Sequence, residues 1–196
     1  MKAPRSSGSN APKILVPQGT HLAVLYSMID MGTQETEFQG EKKKGRKIRL
    51  SFELPKKRAD FDGVSKPMAI HKEIGFSMYS KANLRQFSEA LLGKALSDKE
   101  ADDLDVETLL GRGCLASVLH EKGTDGIVRA KFKGIQTLMD GMESPRPENK
   151  VVFYSVTTGI NGVFNDLPKW LQEKLVAAPE WESGSGEELA SDDIPF

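Results

Sequence analysis

The sequence predicts an all-β domain with minor α content: five strands, a helix between the third and fourth, and a further helix near the C-terminus. Three observations carry this prediction. The run "KIRLSFELP" alternates without a break, with Ile48, Leu50, Phe52 and Leu54 on one face and Lys47, Arg49, Ser51 and Glu53 on the other, which is the period of a half-buried strand. One segment has the helical period instead, Leu84, Phe87, Leu91 and Leu92 recurring before Gly93. After it, "GCLASVLHE" and "GIVRAKFKGIQTL" read as two strands joined by the turn "KGTDG".

In chain order, "THLAVLYSMIDMG" (20–32) is aliphatic and aromatic and forms the long first strand, and "KIRLSFELP" is the second. Between them "TQETEFQGEKKKG" reads as a charged hairpin loop that turns at Gly40 and Gly45. The third strand is "MAIHKEIGFSMYS", with Ile70, Ile74, Phe76 and Met78 on one face and His71, Gly75 and Tyr79 on the other. Ser80 is placed to cap the helix that follows and Gly93 to end it. "SDKEADDLDVETLL" supplies a short helical turn or loop before the last two strands.

Three strands, a helix and two strands, in a segment of this length, is the order of the OB-fold, a five-stranded barrel. The chain then divides into a flexible N-terminal arm at 1–18, the barrel at 19–140, an extension at 141–180 packed on the barrel, and a flexible acidic tail at 181–196. The arm is Ser-, Gly-, Pro- and Asn-rich, a composition with too little apolar surface to offset ordering. In the extension, "KVVFYSVTT" reads as an added strand. "LPKWLQEKLV" reads as an amphipathic helix that turns Leu167, Trp170, Leu171 and Leu175 toward the body.

With 38% hydrophobic and 28% charged residues in 196, the composition suits one substantial soluble domain with appendages. Net charge is only -1, yet the ends differ. "EKKKGRKIRL" and "PKKR" lie in the first third, whereas Glu180, Glu182, Glu187, Glu188, Asp192 and Asp193 crowd a stretch without Lys or Arg. That asymmetry fits a polyanion-binding body with an acidic tail, and equally a solvated charged surface. A single cysteine, Cys114, excludes an internal disulfide and fits a reducing compartment, and no apolar run is long enough to span a bilayer, so the expected location is cytoplasmic.

Enzymatic constellations are missing from the pattern. His21, His71 and His120 are far apart, Cys114 has no second thiol for zinc, and Gly111 and Gly113 lack the Lys-Ser/Thr of a phosphate loop. No catalytic residue, metal site or cofactor is expected. Binding is better supported, because an OB barrel presents its second and third strands and their loops to oligomeric ligands. That region carries Lys42, Lys43, Lys44, Arg46, Lys47, Arg49, Lys56, Lys57 and Arg58, cations that would neutralise phosphates and release counterions without reading sequence. Candidate stacking partners are Tyr26, Phe38, Phe61 and Tyr79. Tyr26 shares parity with Leu22, Val24 and Met28, so core and stacking roles both stay open for it. Arg129, Lys131 and Lys133 share one face of the fifth strand, as a groove wall or a solvated surface.

"KPMAIHKEIGFSMYSKANLRQFSEALLGK", continuing through "LDVETLLGRGCLASVLHEKGTDGIVRAKFKGI", resembles the third strand, helix and closing strand pair of phage-encoded OB-fold single-stranded DNA-binding proteins. "FNDLPKWLQEKL" is similar to their terminal helix, and "DDIPF" is nearly identical to the acidic tip of bacterial single-stranded DNA-binding proteins, through which replication and repair enzymes are recruited. The long Gly-, Gln- and Pro-rich linker of the bacterial chromosomal proteins is replaced here by "ESGSG" and its neighbours, which favours a phage origin and a bacterial host cytoplasm. The resemblance implies a non-enzymatic protein that coats single-stranded DNA during replication or recombination, self-association on DNA being one option. By the same resemblance Asp192, Asp193, Ile194, Pro195 and Phe196 dock partner proteins. Two alternatives stand beside it: a single-stranded RNA binder, and an interaction adaptor whose barrel binds no nucleic acid.

Overall fold

The computed structural model describes residues 14–38, 41–61 and 63–184, the side chains of 37, 38, 61 and 182–184 excepted. The proposed tip at Asp192–Phe196 and most of the N-terminal arm lie outside the described residues. Six strands form one sheet: β1 (Gly19–Phe38), β2 (Glu41–Phe61), β3 (Val64–Gly75), β4 (Gly113–Lys122), β5 (Val128–Gln136) and β6 (Val152–Ser155). The first five are antiparallel in the order β3-β2-β1-β4-β5 and curl into a half-barrel consistent with an OB-like fold, while β6 runs parallel to β1. The two edges approach each other through a side chain, Lys72 Nζ donating to the Phe132 carbonyl at 3.4 Å.

Alternation places the β2 core as expected: Ile48, Leu50, Phe52 and Leu54 are all buried, with Met68, Ile70 and Ile74 of β3 beside them. Helix α1 (Asn83–Leu92) lies between β3 and β4 in sequence and plugs the half-barrel with Leu84, Phe87 and Leu91. Phe87, Phe52 and Phe132 meet there, with ring centroids 5.3–6.2 Å apart, a separation at which tilted and edge-on aromatic pairs attract. Ser80 is not the helix cap. Ala82 occupies that position without a side-chain hydrogen bond, and the helix ends at Gly93 in the left-handed region, φ 70°. Next come α2 (Asp98–Asp102), closed by a reciprocal Ser97–Glu100 capping box, and a 3-10 turn at Val106–Leu109.

Segments 33–38 and 41–45 are strand rather than loop, Gly45 pairing with Gln34 instead of turning, while Gly40 lies outside the described residues. Strand pairing continues through Thr33↔Arg46, Glu35↔Lys44, Thr36↔Lys43 and Glu37↔Lys42, making a two-stranded ribbon that extends β1 and β2. Apolar alternation is absent because both faces of a ribbon beyond the core are wet, and opposite charges facing each other across the strands supply the pairing preference instead.

Two irregularities in β1 decide where its side chains point. Leu25 pairs with Phe52 and Ser27 with Ser51, leaving Tyr26 as the extra residue of a bulge. Leu25 and Met28 therefore both reach the core, and Tyr26 leaves it, breaking the parity read from the sequence. A second shift lies between Asp30 and Thr33, where Gly32 adopts φ 65°. A Cβ there would stand 2.7 Å from Glu180 Oε2 and 2.9 Å from the Ala178 Cβ. Glu180 accepts from the Thr33 N–H at 2.8 Å and its hydroxyl at 2.6 Å.

That contact anchors the C-terminal extension: β6, a 3-10 turn at Val156–Thr158, α3 (Gly162–Asp166), α4 (Lys169–Val176) and α5 (Pro179–Gly184). Ile29 and Met31 from β1 form a second apolar cluster with Tyr154, Val156, Phe164, Leu171, Leu175 and Ala178. Trp181, read from the sequence as the start of the tail, packs its ring 4.9 Å from Phe164. Trp170 does the opposite of what helical periodicity suggests. Leu171 and Leu175 are buried, but Trp170 is 45% exposed and turned to the side of the helix that borders the sheet. Among the described residues, no helix is long and apolar enough to cross a membrane.

Candidate nucleic-acid interface

The face of β1, β2 and β3 that points away from the α1-filled core carries polar side chains by alternation, Arg49, Ser51 and Glu53 on β2 and His71 and Glu73 on β3. The β1 bulge adds Tyr26 to them. The extension stands along one side of this face, and the two enclose a cleft of about 430 Å³. Tyr26, Arg49, Ser51, His71, Lys150 and Trp170 line it, with Ile29, Val152, Leu167 and Leu171 among its apolar lining and Asp166 as a lining carboxylate.

Arg49 organises the mouth. It donates to Glu73 Oε1 at 3.1 Å while its guanidinium carbon lies 4.9 Å from the centre of the Trp170 ring. Lys174 donates to the other Glu73 oxygen at 3.1 Å and lies 5.6 Å from the same ring. Trp170 thus sits among two cations that share one carboxylate, a geometry in which the ring quadrupole attracts charge. Beside it, His71, an exposed residue of β3, places Nδ1 2.9 Å from Ser51 Oγ. Crowding in the cleft and then the Arg49 charge push the imidazole down to about 4, so it is neutral at physiological pH. The Tyr26 phenol is raised, first by burial and then by the Glu53 carboxylate, and stays a protonated hydrogen-bond donor.

Glu53 is fully buried and acts as a latch. Its carboxylate accepts from the N–H of Glu148 at 2.9 Å, the N–H of Asn149 at 2.8 Å and Asn149 Nδ2 at 2.6 Å. This fixes the "ESPRPEN" segment against the sheet and presents Lys150 to the cleft. Lys150 has no carboxylate partner among the described residues.

Of the side chains nominated from the sequence, Tyr26 and Arg49 come together in the cleft. Lys42 and Lys44 lie on the ribbon, 2.8 Å and 4.0 Å from Glu35, and Lys43 is 3.5 Å from Glu41. Arg46 is held by Asp30, Nε to Oδ1 at 3.1 Å, and covers Phe76 at 5.1 Å. Lys47 makes no ion pair among the described residues. Lys56 and Lys57 fall in the register shift between Leu54 and Arg58 of β2, where Pro55 interrupts the ladder. Arg58 pairs with Glu148 and Ser65.

On the far hairpin Arg129 pairs with Asp125 and Lys133 with Glu121, while Lys131 is exposed. Tyr79 is 85% exposed and belongs to a separate depression beside Arg85 and Asp98. Phe38 ends β1 opposite Glu41 and Phe61 ends β2 opposite Val64, their side chains outside the described residues. Ser51, His71, Lys150 and Trp170 were not nominated. Ser51 and His71 carried a signal, lying on the outward faces of strands read correctly, whereas Lys150 and Trp170 reach the site only through the folding back of the extension.

No protein-family model, curated protein or solved structure matches this chain.

Proposed function

We propose that this protein binds single-stranded DNA with little sequence preference, through the cleft between the β1–β3 face and the extension. The observation that carries the reading is Trp170, half-exposed at the mouth of a cleft that also holds Tyr26 and the cations Arg49 and Lys150. An unpaired strand offers two things at once, flat apolar bases and a charged backbone, and this lining has a partner for each. Bases gain from stacking on aromatic rings whatever their identity, and phosphates gain from Arg and Lys by releasing counterions. The OB-like half-barrel agrees with the reading, since such folds commonly use this side of the sheet for oligomeric ligands.

The choice of DNA over RNA, the place in phage replication or recombination, and the recruitment of partner proteins by Asp192–Phe196 come from the sequence resemblance. The testing experiment is titration of the full chain against a fluorescent poly-dT oligomer at low ionic strength, with matched RNA as competitor. Binding is expected, weakening with a slope of about -0.7 per phosphate contact as log salt rises. A poly-dT strand that stays free overturns the assignment and leaves the adaptor reading, and preference for the RNA competitor overturns the choice of DNA.

A further inference from the structure

Across the Glu53-latched segment from the cleft lies a second depression, of about 860 Å³. Leu22 and Leu115 are among its apolar lining, with Met139 and Met142 exposed at 59% and 43%, and Lys56 and Arg146 supply its cations. Neither Lys56 nor Arg146 enters an ion pair among the described residues. Glu143 also lines it, the single carboxylate among the described lining residues.

The segment dividing the two depressions is held at both ends. At one end Ser144 and Pro145 lie so close to β4 that a Cβ on Gly113 would come within 2.7 Å of Ser144 Oγ and 2.8 Å of Pro145 Cδ. At the other, Glu53 takes the N–H groups of Glu148 and Asn149, and Arg58 of β2 pairs with Glu148. Arg146 lines one depression and Lys150 the other, so a single fixed strip of backbone presents a cation to each. Extended chain from 146 to 150 spans at most about 14 Å, a distance that one continuous unpaired strand can bridge.

We infer that this second depression is a further subsite for the same strand, in which Lys56 and Arg146 take backbone phosphates and the Met139–Met142 surface takes the face of a base. The inference rests on the single-strand reading above. Its support is the charge complementarity between a polyanion and two cations that have no ion pair among the described residues, together with proximity to the first cleft, one latched strip of backbone away. Soft thioether side chains also make favourable contacts with aromatic rings without demanding one geometry, which suits a site indifferent to base identity.

The test compares oligo-dT strands of increasing length on the wild type and on the double variant Lys56→Gln, Arg146→Gln, both exposed positions. For the wild type, affinity should rise once the strand is long enough to reach both depressions. The variant should lose that rise and match the wild type on the shortest strands that bind, and its salt slope on long strands should be shallower by about 1.4, two contacts at 0.7 each. A variant with unchanged length dependence and slope overturns the subsite while leaving the first cleft standing. A wild type that binds no strand of any length overturns the strand reading and the subsite with it.

Discussion

Glu73 and Arg49 face each other across the β2–β3 pair at 3.1 Å, and the same carboxylate reaches Lys174 on α4 at 3.1 Å. One acidic side chain therefore occupies the two cations that flank Trp170. On the proposed single-strand reading, an incoming phosphate would compete with this carboxylate for both. The Lys174 pair is exposed and contributes little to stability, and Arg49, whose side chain is largely buried, keeps its contact with the Trp170 ring, so removing the carboxylate should free the cations in a protein that a thermal melt shows still folded. Glu73→Gln is expected to tighten poly-dT binding several-fold and to steepen the salt slope by about 0.7 for each cation that engages a phosphate. Titrations at three or four salt concentrations measure both, and an unchanged slope with equal or weaker affinity would show that Glu73 does not compete.

The two tryptophans make a matched pair of controls. Trp170 is 45% exposed beside Arg49, whereas Trp181 packs on Phe164 in the second apolar cluster. Trp170→Ala should cost about 1–3 kcal/mol of strand binding with little change in thermal stability. Trp181→Ala should lower stability by about 3 kcal/mol and leave affinity near the wild-type value at temperatures where the variant is folded. In a Trp181→Phe background the remaining indole should be quenched by poly-dT. Quenching that persists only when Trp181 is retained would place the bases elsewhere.

The parts legible in the sequence are those set by local periodicity. Ile48, Leu50, Phe52 and Leu54 declared the buried face of β2, Leu84, Phe87 and Leu91 that of α1, and Gly93 the end of the helix. The outward side of β2 followed from the same alternation, and with it Arg49. What stayed hidden depends on events with no period. A single extra residue at Tyr26 reverses the parity of β1 from there to the second shift after Asp30, and the run of small and aliphatic neighbours around it gives no warning. The paired stretches 33–38 and 41–46 look like a loop because their pairing rests on charges facing across strands rather than on an apolar face. Trp170 looks like a core residue because its helix is amphipathic, and which edge of that stripe meets protein is set by the docking of Glu180 at Thr33, far away in sequence.

His71 offers a test of the cleft's interior that needs no nucleic acid. Its ring lies against Ser51, and desolvation in the cleft, then the Arg49 charge, lower its pKa from the ordinary 6.5 to about 4. In the unfolded chain the same imidazole takes up a proton as pH falls through about 6.5. Between there and about pH 4 the unfolded state consequently binds more protons than the folded one, and stability drops as pH is lowered. His71→Gln can keep a hydrogen bond to Ser51 but cannot titrate, so urea unfolding at pH 7.5, 6 and 5 should show a smaller loss for the variant than for the wild type. Other groups that titrate in this window contribute equally to both proteins and cancel in the comparison. An NMR titration of the ring should place its midpoint near 4 in the wild type. A midpoint near 6.5, with identical pH slopes for the two proteins, would mean that the imidazole is solvated and that the cleft is more open than its lining implies.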